Sequence, residues 1–85
     1  MLDMRQDRRL APRRNTSMEA LIVFDGGRQY MACIIRDLSE GGAKLQVDKV
    51  IGVPNTFDLM TPGHRTHSCR VAWRALRELG VQFTG

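Results

Sequence analysis

The sequence has no apolar run long enough to cross a bilayer, which requires about 18 residues. The apolar runs that are present, such as residues 20–24, have the length of a β-strand. The N-terminus is rich in arginine and lacks the apolar segment of a secretory signal. We therefore expect neither a membrane protein nor a secreted one, and the predicted location is the cytoplasm.

Cysteine is also scarce, which excludes two classes of small domain. The sequence has only Cys33 and Cys69, far apart and without a CxxC motif. This favours a reducing compartment and argues against a disulfide scaffold or a zinc knuckle. His64 and His67 would point to opposite faces of a strand, so with Cys69 they match no standard metal site. No metal or other cofactor is expected.

Aromatic residues are few as well, and most of the five fall at predicted core positions. A protein that binds RNA or single-stranded DNA needs aromatic side chains along an exposed face for base stacking. A nucleic-acid polymer is therefore not an expected partner. The sequence also lacks a Ser-His-Asp set, a phosphate-binding P-loop and a pair of carboxylates on one face, so we expect no enzyme.

The positive charge is concentrated at the N-terminus. The 85 residues include 13 Lys or Arg and 9 Asp or Glu, a net charge of +4. Residues 1–14 hold five arginines and two aspartates, a net charge of +3, so the other 71 residues carry +1. Arginine forms bidentate bonds with phosphate and stacks on rings, which lysine does not do. This short arm is therefore a candidate ligand-binding segment, the alternative being a solvated tail.

Alternating hydrophobicity and turn signals predict six β-strands and little helix. The predicted strands cover residues 16–25, 28–38, 43–47, 57–61, 67–74 and 79–83. Short strands at this spacing are typical of a small antiparallel barrel or sandwich, and closure would remove exposed sheet edges. The second strand has apolar residues on both faces, so we expect both faces to be covered. Trp73 is expected to lie in the core.

Two short motifs carry the most specific signal. Residues 9–13 match R-x-x-x-R, and residues 37–42 match D-x-S-x-x-G. Each is weak alone, but together and in this order they resemble the PilZ domain, the bacterial receptor module for cyclic di-GMP. The resemblance covers essentially the whole chain. It implies an all-β, six-stranded antiparallel PilZ-like β-barrel over residues 16–85, preceded by a flexible Arg-rich arm over residues 1–15.

The chemistry of these residues suits a guanine dinucleotide. The guanidinium groups of Arg9 and Arg13 can bond phosphate oxygens or the guanine edge. Asp37 can accept the N1–H and N2–H donors of guanine, and Ser39 can donate to a phosphate or close its own turn. Gly42 is expected to adopt a backbone angle that a Cβ would forbid. The resemblance implies that the arm folds over the barrel and that both motifs clamp cyclic di-GMP.

The residue before R-x-x-x-R is Arg8. In PilZ receptors an arginine at this position accompanies two bound nucleotides, and a bulky apolar residue accompanies one. A third guanidinium offsets repulsion among the phosphates of a stacked pair. We therefore expect two cyclic di-GMP per domain. The alternative is that Arg8 is only a solvated charge.

The predicted function is a cyclic di-GMP receptor whose arm becomes ordered on ligand binding and which acts on a protein partner in trans. One alternative is a PilZ-like protein-interaction module without nucleotide binding, because some family members lack the arginines. A plainer alternative for Asp37 and Ser39 is that they only satisfy the backbone of their turn.

Overall fold

The structure is a computed structural model that describes residues 14–85. Its elements are β1 (Arg14–Phe24), β2 (Gln29–Leu38), β3 (Gly42–Gln46), β4 (Thr56–Thr61), β5 (Arg65–Arg74) and β6 (Glu78–Phe83). The prediction of an all-β fold with six antiparallel strands is confirmed.

The six strands close into a barrel in the order β1-β2-β3-β6-β5-β4, with β4 pairing back onto β1. All neighbouring strands are antiparallel. The connection from β3 to β4 crosses one end of the barrel. The Val47 N–H donates to the Arg77 carbonyl over 2.9 Å near its start, and the Val71 N–H donates to the Asn55 carbonyl over 2.8 Å near its end.

The β1–β2 hairpin shows how the sequence sets a turn. Asp25, Gly26 and Gly27 all have positive φ, at 55°, 64° and 87°. Glycine reaches this region without steric cost, and aspartate tolerates it better than most residues. The turn signal therefore lies where the chain reverses.

Alternate side chains of each strand fill the barrel interior. The largest fully buried ones are Ile22, Ile35, Leu45, Leu59, Leu79 and Cys69. Burial of an aliphatic side chain of this size contributes about 1.5–3 kcal/mol to stability. With no polar side chain buried among residues 17–85, the core is held by apolar packing.

The two cysteines are free thiols inside this core. Burial, with a smaller contribution from the neighbouring Cys69 thiol group, raises the pKa of Cys33 to about 12. Burial likewise raises the pKa of Cys69 to about 11, with a smaller contribution from the carboxylate of Asp58. Both groups are therefore neutral, unreactive thiols at neutral pH.

The outer face of β2 differs from the expectation. Tyr30 is 70% exposed, Ala32 is exposed and Ile34 is half-buried. Within the part of the chain that the structure describes, only the inner row of β2 is covered. The prediction that both faces are covered is therefore wrong for residues 14–85.

Trp73 also lies outside the core, and a β-bulge is the reason. Val71 pairs with Val81, but Trp73 pairs with Gly80, so Ala72 is an extra residue in β5. One extra residue reverses the face to which the following side chains point. Trp73 is 45% exposed as a result, and its prediction as a core residue is wrong.

Candidate ligand-binding site

One cross-strand row runs over four strands on the outer surface of the barrel. Asp37 on β2 is opposite Lys44 on β3, Lys44 is opposite Gly80 on β6, and Gly80 is opposite Trp73 on β5. Opposite residues of an antiparallel pair share one face, and neighbouring strands are about 4.8 Å apart. The row therefore presents a carboxylate, an ammonium group, a glycine gap and an indole side by side.

The first two members of the row form an ion pair. The Lys44 Nζ lies 3.4 Å from the Asp37 Oδ2, with 37% of the lysine side chain and 15% of the aspartate side chain exposed. A bulge at Arg36 precedes Asp37, because Ile35 pairs with Leu45 and Asp37 with Lys44. This bulge turns the Asp37 side chain outward, onto the face of Lys44.

Ser39 closes the turn between β2 and β3. Its backbone N–H donates to the Gly42 carbonyl over 2.9 Å, and its hydroxyl donates to the same oxygen over 3.3 Å. The Phe83 N–H donates to the Gly41 carbonyl over 2.9 Å, which ties the turn to the end of β6. Ser39 thus holds the turn that follows Asp37.

Gly42 is required for a reason other than the predicted one. Its φ is not positive, so the prediction of a backbone angle forbidden to other residues is wrong. A Cβ at this position would instead overlap the carbonyl oxygen of Val81 on β6. Glycine therefore permits the close approach of β3 to β6 beside the turn.

The indole of Trp73 occupies the gap that Gly80 leaves. A Cβ at Gly80 would overlap the ring atoms Nε1, Cε2 and Cδ1, so the ring lies directly against the glycine backbone. Gly80 is buried beneath it, while almost half of the Trp73 surface stays exposed. The row thus ends in a supported aromatic ring.

These groups line a cavity of about 470 Å³ on the barrel surface. Its ionisable lining residues among those described are Asp37, Lys44 and Glu78, and Ser39, Gly42 and Trp73 also line it. A cavity with an acceptor, a cation and an aromatic ring can bind a ligand that has hydrogen-bond donors, negative charge and a flat ring.

The structure brings together part of the predicted site. Asp37, Ser39 and Gly42 all line the cavity. Arg8, Arg9 and Arg13 lie outside the described residues. Lys44 and Trp73 belong to the cavity but were not predicted as ligand-binding residues. Lys44 could be predicted as a site residue only from the β2–β3 register. Trp73 could not be predicted, because the bulge in β5 that turns it outward leaves no sign in the sequence.

Two other kinds of site lack support among residues 14–85. No group of three or more His, Cys, Asp or Glu side chains there is placed to hold a metal ion. His67 stacks on Phe83 with ring centroids 4.9 Å apart, and Cys69 lies in the core. No helix in this range has the length and hydropathy that a membrane crossing requires.

Fold and cavity together define a small β-barrel with a surface site at a β-hairpin turn. A comparison with protein families matches residues 7–85 to the PilZ domain, and the chain belongs to the PilZ domain family. Members of this family are in general receptor modules that bind cyclic di-GMP and are not enzymes. No curated protein is significantly similar to the chain.

Proposed function

We propose that this protein is a cyclic di-GMP receptor of the bacterial cytoplasm, whose ligand binds over the row Asp37, Lys44, Gly80 and Trp73. The observation that carries the proposal is this row, because it places an acceptor, a cation and an aromatic face beside the D-x-S-x-x-G turn. No catalytic role is proposed for any residue.

Each group of the row has a counterpart in the ligand. A guanine base stacks on the exposed face of Trp73, an interaction worth about 1–3 kcal/mol per base. Asp37 accepts the N1–H and N2–H donors of guanine, while the Lys44 ammonium faces a phosphate. Ser39 keeps the turn closed through Gly42 and so positions Asp37.

The arm supplies the charge that the cavity lacks. Among the described lining residues, two carboxylates and one ammonium leave a net negative cavity, which repels a dianionic ligand. Arg9 and Arg13 reverse this balance when the N-terminal arm closes over the bound nucleotide. Ligand binding thereby orders the part of the arm that precedes β1 relative to the barrel and changes the surface that a protein partner meets.

Calorimetric titration with cyclic di-GMP tests this function, with GTP and GMP as ligand controls. Arg9→Ala and Arg13→Ala should each remove charge-assisted bonds of about 1.5–3 kcal/mol, a loss of affinity of about tenfold or more. Arg28→Ala and Arg77→Ala are matched controls, since both arginines are exposed and neither lines the cavity. Unchanged affinity in the Arg9→Ala, Arg13→Ala double variant would place the site elsewhere.

The stoichiometry is a separate part of the proposal. Arg8 offsets the charge of a stacked ligand pair, so saturation should occur at two cyclic di-GMP per chain. Arg8→Leu should lower this toward one. Saturation at one nucleotide in both proteins would remove Arg8 from the site and leave Arg9 and Arg13 in it.

A second candidate function has one observation in its favour. Asp37 already pairs with Lys44, and Ser39 already closes its own turn, so the D-x-S-x-x-G motif is satisfied without a ligand. This arrangement fits a PilZ-like protein-interaction module that binds no nucleotide. The absence of any heat of binding with cyclic di-GMP would favour this function over the first.

A further inference from the structure

A second cavity lies on the outer surface of β1, β2 and β4, away from the row just described. Leu21 on β1 is opposite Ala32 on β2 and Met60 on β4, and Glu19 on β1 is opposite Ile34 on β2. The apolar ones, Leu21, Ala32, Ile34 and Met60, form the floor of a groove of about 600 Å³, and the Glu19 carboxylate lies among them. The floor includes Ala32 and Ile34 from the outer row of β2. The sequence predicts that this row is covered, and no other described residue covers it.

The groove ends at the edges of this patch. The β4–β5 turn, residues 62–64, forms one end, and Gln46 and Asp48 at the end of β3 form the other. Leu21, Ile34 and Met60 are only half-buried, so a partner would remove further apolar surface from water. An apolar floor with polar ends is typical of a groove that receives a protein segment.

The charge of the groove indicates the kind of segment. Its charged lining residues among those described are Glu19 and Asp48, with no lysine or arginine, although the chain as a whole carries +4. A basic segment is therefore complementary to it. A second copy of the chain docked by this face would bring like carboxylates together, which disfavours a symmetric dimer.

The apolar surface suits one face of a helix. The apolar floor is a single patch shared by β4, β1 and β2, with one carboxylate inside it and another at its edge. The i, i+3, i+4, i+7 stripe of a helix presents apolar side chains to such a patch and can carry basic side chains beside them. We propose that the groove binds an amphipathic helix of a protein partner, with lysine or arginine flanking the apolar stripe.

This proposal goes beyond nucleotide binding and does not depend on it. The ligand cavity occupies the outer surface from the turn end of β2 over β3, β6 and β5, whereas the groove is centred on β1. Both can be occupied in the same molecule. A failure to bind cyclic di-GMP and a failure to bind a helix are therefore separate results.

Fluorescence anisotropy of the full chain with two labelled helical peptides provides the test. The peptides share one leucine stripe and carry either lysine or glutamate beside it. We expect the lysine peptide to bind at least tenfold more tightly. Glu19→Lys should remove most of this preference, while Glu40→Lys, an exposed control in the β2–β3 turn that does not line the groove, should keep it.

A second variant tests the apolar floor. Met60→Gln should weaken both peptides to a similar degree, with an unchanged melting curve as the check on folding. Equal affinity for the two peptides, or full affinity in both Glu19→Lys and Met60→Gln, would overturn the proposal.

Two other occupants would also overturn it. Sedimentation that shows a dimer of the full chain, converted to monomer by Met60→Gln, would assign the groove to a second copy. Nuclear Overhauser contacts from residues 1–13 to the Leu21 or Met60 methyl groups would assign it to the chain's own N-terminal segment.

Discussion

Raising the pH above 9 should destabilise this protein because of its two core thiols. In the unfolded chain both cysteines ionise near the ordinary pKa of 9.0, whereas the folded pKa values are about 12 for Cys33 and about 11 for Cys69. Between pH 9 and pH 11 the folded state retains protons that the unfolded state releases, so the free energy of unfolding falls as pH rises. Each thiol that is ionised in the unfolded state and protonated in the folded state lowers the free energy of unfolding by about 1.4 kcal/mol per pH unit.

By pH 10 the two thiols together should lower the free energy of unfolding by about 2–3 kcal/mol, out of a total of about 5–15 kcal/mol for a typical domain. Urea unfolding at pH 8, 9 and 10 measures this loss. The Cys33→Ala, Cys69→Ala double variant is the control, because it shares every other titrating group. Its cavities reduce stability equally at each pH, so the difference between the two proteins should shrink by the stated amount. A constant difference from pH 8 to pH 10 would refute the reasoning.

Three further predictions concern the ligand cavity. Trp73→Ala should lower cyclic di-GMP affinity about 5- to 150-fold through lost stacking, while Tyr30→Ala, the exposed aromatic outside the cavity, should leave it unchanged by calorimetry. Lys44→Met should lower affinity about tenfold and weaken its salt dependence, whereas Lys49→Met, which changes the only other lysine, should do neither. Gly80→Ala should push the indole outward, which a red shift of the single tryptophan's fluorescence and a lower melting temperature would report.

The strands were predictable because an apolar interior requires alternation. Every predicted strand end lies within two residues of the observed one. The two wrong predictions about the strands concern which face a side chain lies on, and not where a strand begins or ends. Alternation from His67 to Trp73 gives no sign that Ala72 is an extra residue, so the side of the barrel on which Trp73 lies could not be predicted. The outer row of β2 is apolar, and the sequence alone cannot show whether an apolar row is covered by another part of the protein or left exposed.

The site was predictable only as far as local motifs reach. Asp37 lies near the end of β2 and Ser39 in the turn that follows, so the local sequence alone brings them together. Lys44 meets Asp37 through the β2–β3 register, which the motif does not reveal. Gly80 meets Lys44 through the β3–β6 pairing, which links parts of the chain distant in sequence. The sequence correctly predicts that position 42 needs a glycine. The reason is the close Val81 carbonyl on β6 and not the torsion angle of Gly42 itself.

The β1–β4 seam, which closes the barrel, has fewer paired residues than any other pair of neighbouring strands among residues 14–85. β1 and β4 share only three register pairs, Leu21–Met60, Ile22–Leu59 and Val23–Asp58, whereas β1 and β2 pair along almost their whole length. Few hydrogen bonds need to break for these two strands to part, so we expect the seam to open before the long β1–β2 pairing does. Amide protons at this seam should exchange with solvent faster than those of the β1–β2 hairpin. The floor of the groove crosses this seam at Leu21 and Met60, so we expect opening of the seam to widen the groove and to admit larger side chains.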